Sequence, residues 1–144
     1  MKKKICLVLA DYYPDITNML MEGSTRRILD AESNNILKIG HDSIHVSGVF
    51  EIPVTIAKLI SNYDAFVALG CVIKGETPHF DLISKAVVNA IMDLSVRNKK
   101  PIGNGIITCQ NMQQAIERAD PNKKNKGGEA VSAALQILTN FQNA

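Results

Sequence analysis

Short runs of unbroken apolar residues alternate along the chain with longer stretches in which apolar residues recur every three or four positions. Ile5-Cys6-Leu7-Val8-Leu9 is a compact run that predicts a buried strand. From Pro14 to about Leu29, the positions Ile16, Met19, Leu20, Gly23 and Ile28 fall on one side of a helix. Between Ile36 and Val46 the pattern is less regular, but Ile44 and Val46 alternate with polar neighbours and predict a second strand. A short helix should follow Pro53, through Ile56, Ala57, Leu59 and Ile60.

Ala65 to Ile73 is near-continuously apolar, as suits a central parallel strand covered on both faces. Phe80 to about Val96 predicts the longest helix, with Ile83, Val87, Ala90, Ile91 and Leu94 turned inward. Ile102 to Thr108 is a fourth strand, interrupted by Gly103 and Gly105. Asn111 to Ala119 and Glu129 to Phe141 are two further helices, separated by the polar stretch from Asp120 to Gly128. This alternation predicts an α/β fold of three layers, a four-stranded parallel sheet flanked by helices. The connections are too short for a second domain and there is no internal repeat, so residues 1–144 are expected to form one domain. Ligands in such sheets gather beyond the carboxyl ends of the strands. The loops to question are therefore Asp11 to Pro14, Ser47 to Pro53, Gly70 to His79 and Thr108 to Asn111.

Charge narrows the function classes. Sixteen basic and fourteen acidic residues leave a net charge of +2, without the strong basic excess of a surface that tracks nucleic-acid phosphates. No apolar run reaches the roughly 18 residues of a membrane helix. Met1-Lys2-Lys3-Lys4 leads into a short apolar run that stops at Asp11, a first strand and not a signal peptide, so the cytoplasm is the expected location. Cys6, Cys71 and Cys109 are odd in number and widely spaced, with no Cys-x-x-Cys pair, which predicts reduced, structural thiols and no metal site.

The densest segment runs from Gly70 to Asp81. Thr77 can cap the next helix and Pro78 suits its first position, leaving backbone N–H groups near Glu76 and Thr77 to meet an anion. His79 in the same turn is a candidate proton donor and acceptor, although the same residues also fit a plain helix start with a surface histidine. Phe50 could hold a planar ring and Glu51 could accept from hydroxyls; they equally fit a core phenylalanine beside a solvated carboxylate. Tyr12 and Tyr13 could form a stacking platform or simply pack. Asn111-x-x-Gln114 reads as a capping box, and Arg118 at the end of that helix either answers its dipole or clamps a phosphate. Lys126 carries the same two readings, and the lysine-rich loop before it fits a solvated turn. After the first strand, Asp11-Tyr12-Tyr13-Pro14 has neither the glycines of a dinucleotide-binding loop nor the hydroxyls of a flavodoxin phosphate loop. A thiol enzyme pairing Cys71 with His79 fits the spacing, but Cys71 continues a buried strand.

Taken together, Gly48-Val49-Phe50-Glu51-Ile52-Pro53, Leu69 to Asp81, Gln114-Ala115-Ile116-Glu117-Arg118-Ala119 and Asn125-Lys126-Gly127 resemble the 6,7-dimethyl-8-ribityllumazine synthase family, in its order and spacing and over essentially the whole chain. The resemblance implies a flavodoxin-like fold and the penultimate step of riboflavin synthesis. In that step 5-amino-6-(D-ribitylamino)uracil condenses with 3,4-dihydroxy-2-butanone 4-phosphate without metal or organic cofactor. It further implies that Tyr12 stacks on the pyrimidine, that Val49, Phe50 and Glu51 hold its ring and ribityl chain, and that Cys71, Val72 and Ile73 line its edge through their backbone. Asn104 joins that set. Glu76, Thr77 and Arg118 would contact the phosphate-bearing substrate, His79 would move protons, and Lys126 would lie close by. The alternative is a non-catalytic relative that binds lumazine or flavin, which would require neither His79 nor Arg118.

The chain departs from the family pattern at Tyr12, where Phe is usual, and at Tyr13, Ser47 and Lys74, where Asn, Pro and Arg are common. Asn104 stands where many members have Phe, at a wall that a neighbouring subunit contributes. The resemblance implies a homo-oligomer, a pentamer at minimum, with the site between adjacent subunits and riboflavin synthase as a prospective partner enzyme. Two clues on a sixty-subunit shell of twelve pentamers conflict. Little precedes the first strand, unlike many shell formers, yet the loop between the last two helices lacks the insertion of some pentamer-only members.

Overall fold

A computed structural model describes residues 2–34, 38–75 and 79–141. In chain order the elements are β1 (Lys3–Ala10), α1 (Pro14–Ser33), β2 (Ile39–Val46), a 3-10 turn (Val49–Glu51), α2 (Ile52–Leu59), β3 (Ala65–Ile73), α3 (His79–Asn98), β4 (Ile102–Cys109), α4 (Met112–Ala119) and α5 (Lys126–Asn140). The four strands form one parallel sheet in the order β2-β1-β3-β4. The expected α/β sandwich is present, and β4 runs straight through Gly103 and Gly105.

The unbroken apolar runs have a physical cause, because each central strand is covered on both faces. Ile5, Leu7 and Leu9 pack with α1, α4 and α5, while Cys6, Val8 and Ala10 pack with α2 and α3. Strand β3 divides in the same way, with Val67 and Leu69 on the first side and Phe66 and Ala68 on the second. All three cysteines are buried and unbridged.

Two helix boundaries differ from the expectation in an informative way. Helix α1 continues past Leu29 to Ser33. Helix α5 starts at Lys126, not Glu129, and so absorbs Gly127 and Gly128 that the sequence suggests are loop. Asn125 adopts the left-handed conformation at φ 48° and its side chain accepts from Gly128 N–H, capping the helix. A side chain at Gly127 would collide with the carbonyl of Leu20, so this glycine is what lets α5 lie against α1. On α3 the inward face is narrower than expected, since only Val87 and Ile91 are fully buried.

Burial also tunes the thiols and one phenol. Burial, aided by Asp42, pushes the Cys6 thiol up to about 11, and burial beside Cys109 pushes Cys71 up to about 12. Tyr63 donates to Asp42 Oδ2 at 2.7 Å, which with burial raises its phenol to about 12. The folded chain thus holds these protons where an unfolded chain, starting near pH 9 for the thiols, releases them. Stability is fully present below that pH and falls as pH climbs from 9 toward 12. The melting temperature should be flat between pH 7 and 8.5 and drop by several degrees by pH 11; a flat profile to pH 11 would contradict the burial argument.

Candidate functional site

The strand order places the site. From β1 the chain steps outward to β2, then crosses back to β3 on the other flank, so the connections diverge at the carboxyl ends of β1 and β3. A crevice opens at such a reversal. Leu9 pairs with both His45 of β2 and Leu69 of β3, so β1 and β2 end together at Ala10 and Val46 while β3 runs on to Ile73 beside β4.

A cleft of about 320 Å³ lies there, lined by Tyr12 and Tyr13 after β1, Gly48 to Phe50 after β2, Cys71 to Ile73 and Gly75 at the end of β3, and His79, Phe80 and Ile83 of α3. Two rings stand out in solvent at its mouth, Tyr12 at 73% exposure and Phe50 at 61%. Exposed aromatic rings facing one cleft are poor packing residues and good platforms for a planar ligand. Phe50 is therefore not a core residue. Val49 is tucked beneath it because position 70 is glycine, where any side chain would strike Val49 Cγ1.

Each wall is pinned. Thr17 Oγ1 donates to the carbonyls of Ala10, at 2.6 Å, and Tyr13, at 3.1 Å, fixing the far end of the tyrosine loop. Ser47 Oγ donates to Glu51 Oε1 at 3.0 Å, so the residue that departs from the family proline holds the carboxylate expected to meet a ribityl chain. Glu51 itself does not line the cleft. His79 opens α3 and is exposed on the cleft wall. Glu76, Thr77 and Pro78, with the expected cap and anion contacts, lie outside the described residues. Burial and the neighbouring Cys71 and Tyr12 raise the Tyr13 phenol. A thiol pushed up to about 12 is no nucleophile at neutral pH, which removes the Cys71–His79 thiol-enzyme reading.

Arg118, Asn104 and Lys126 are not in this cleft. They line a second one of about 400 Å³ with Ile106, Ile107, Thr108, Lys124 and Glu129. Arg118 Nη1 donates to the Thr108 carbonyl at 2.7 Å and approaches Cys109 Sγ at 3.7 Å, which fixes the guanidinium against β4 instead of the end of its own helix. Among the described residues neither Arg118 nor Lys124 has a carboxylate partner, whereas Lys126 Nζ lies 3.2 Å from Glu129 Oε2. Asn104 is exposed, and its Oδ1 accepts from Ile106 N–H at 3.1 Å. The second cleft thus has three cations against one carboxylate, a surface suited to an anion.

Phe80 and Ile83 were not among the expected site residues, although Ile83 lies three positions beyond Phe80 and four beyond His79, spacings that share a helix face. Lys124 escaped because its loop looks like any solvated lysine-rich turn. The asparagine cap of α4 forms as expected, with Asn111 Oδ1 accepting from Gln114 N–H, but Gln114 Oε1 accepts from Gln110 N–H, one residue outside the usual box.

Residues 2–142 match the family model of 6,7-dimethyl-8-ribityllumazine synthase. Among curated relatives, the 6,7-dimethyl-8-ribityllumazine synthase of Bartonella tribocorum is 44% identical over 143 residues, covering 96% of this chain and 91% of its own. The protein of that name from Sphingopyxis alaskensis is 42% identical, covering 93% and 92%, and 6,7-dimethyl-8-ribityllumazine synthase 1 of Rhodopseudomonas palustris is 42% identical, covering 94% and 83%. With that match over nearly its whole length, the chain belongs to the 6,7-dimethyl-8-ribityllumazine synthase family.

Proposed function

We propose that the chain condenses 5-amino-6-(D-ribitylamino)uracil with 3,4-dihydroxy-2-butanone 4-phosphate to give 6,7-dimethyl-8-ribityllumazine, releasing phosphate and water, in riboflavin biosynthesis. The observation that carries this reading is the convergence of Tyr12, Phe50 and His79 on one cleft in a chain of this family. The two rings flank the pyrimidine, and the backbone of Cys71, Val72 and Ile73 meets its edge. Amine attack on the ketone gives an imine, phosphate leaves, and ring closure expels water. These steps need two substrates held together and protons moved between nitrogen and oxygen. His79 is the group placed to move them.

Arg118 binds the phosphate from a second chain, with Lys126 near it and Asn104 forming the adjoining wall. The support is the separation of the two clefts, which leaves each incomplete for two substrates. An apolar face on α3 supports assembly as well. Leu82, Val88, Met92 and Val96 are all exposed and fall within an arc of about 120°. A ring of five is the minimum assembly, and the three unpaired cysteines suit the reducing cytoplasm. Riboflavin synthase, which would consume the product, is the partner this reading implies. A mere carrier of lumazine or flavin would need neither His79 nor the basic cleft.

The test is direct. Purified protein given both substrates in the presence of a chelator should generate lumazine absorbance and phosphate in equal amounts. Folded protein with no rate above the spontaneous condensation would refute the assignment.

A further inference from the structure

Tyr12 presents a problem of orientation. At 73% exposure its ring packs edge-to-face on its neighbour Tyr13, with centroids 5.0 Å apart, so its direction follows the backbone of residues 11–13. Thr17 ties the far end of that loop. The near end is tied twice to β2. Asp11 N–H donates to the Val46 carbonyl at 2.9 Å, and the Asp11 carboxylate receives His45 Nδ1 at 3.0 Å on Oδ1 and 2.8 Å on Oδ2. An ionised carboxylate only accepts, so Nδ1 carries the proton in this contact.

Neither side chain lines the cleft. The pair nevertheless spans the two segments that build both aromatic walls. Asp11 directly precedes Tyr12, and His45 is followed by Ser47-Gly48-Val49-Phe50. We propose that His45 and Asp11 are positioning residues for the pyrimidine subsite, locking the Tyr12 loop to the end of β2 so that Tyr12 faces Phe50 across a fixed gap. The inference rests on the reading of Tyr12 as a stacking ring. Both side chains are near half-exposed, at 44% and 40%, so the contact is screened and contributes little to global stability. Its effect belongs to the geometry of the walls.

A double-mutant cycle separates positioning from general support. His45→Ala should raise KM for the ribitylaminouracil about tenfold, since small misplacements of a binding group are costly. It should leave kcat and KM for the butanone phosphate within about twofold and shift the melting temperature by about 2 °C or less. His45→Asn, whose amide N–H takes the place of the Nδ1–H toward Asp11, should recover most of the loss, and Asp11→Ala should raise the same KM in the same direction. In a Tyr12→Ala background, His45→Ala should add less than about twofold, because the ring it positions is gone. Fully additive effects would overturn the proposal, as would an unchanged pyrimidine KM in His45→Ala when Tyr12→Ala raises it. If Tyr12→Ala itself leaves that KM unchanged, the stacking reading falls and takes this inference with it.

Discussion

His79→Ala should lower kcat by roughly 10²–10⁴, the usual worth of a positioned proton-transfer group, while leaving both KM values within a few-fold. Some rate survives because the two substrates are still held side by side. Arg118→Ala should instead raise KM for the butanone phosphate by about ten- to a hundredfold, since a charged hydrogen bond is worth about 1.5–3 kcal/mol. The Thr108 carbonyl that now orients the guanidinium is backbone and cannot substitute for it. Steady-state kinetics with each substrate varied separately measures the split. An Arg118→Ala enzyme with unaltered kinetics toward the phosphate substrate would show that the second cleft is not its binding surface.

The two variants together test where the halves of the site meet. In a ring every interface is heterologous, so a site that takes His79 from one subunit and Arg118 from the next can be rebuilt from two defective chains. Mixed from unfolded material at equal ratio, the His79→Ala and Arg118→Ala chains should give about a quarter of sites with both groups intact by random placement. At substrate concentrations where each variant alone is nearly silent, activity should rise toward that fraction. A mass tag on one variant verifies exchange. Confirmed exchange with no recovery would place both groups in one chain's site and defeat the shared arrangement.

The strands were the most legible part of the fold. Ile5 to Leu9 and Ala65 to Ile73 are covered on both faces, and their shortness and polar or loop-forming flanks separate such unbroken apolar runs from a buried helix. The start of α5 was illegible for a matching reason. Gly127 and Gly128 are helix breakers judged locally, and only the closeness of α1, which no local pattern reports, shows why glycine is required there. The candidate site divides along the same line. Phe50 and His79 could be picked out, but whether Phe50 was core or platform depended on the strand crossing that leaves it exposed. The contact between His45 and Asp11 joins residues 34 apart in sequence through strand pairing, and neither residue stands out in its own segment.

The central position of β1 has a consequence for how the chain comes to life on the ribosome. The first strand made is flanked by β2 on one side and β3 on the other. Until Ala65 to Ile73 has been synthesised, the most apolar strand of the nascent chain keeps one edge of backbone N–H and C=O groups bare. That interval is when the polypeptide is most open to strand-on-strand association with other copies, a hazard of late, long-range pairing. The docking of β3 covers that edge and moves the exposure to its own outer edge, which Ile102 to Cys109 covers in turn. The same zippering event that covers β1 also brings Tyr12 opposite the end of β3, so the floor of the cleft is assembled before the last bare edge of the sheet is paired.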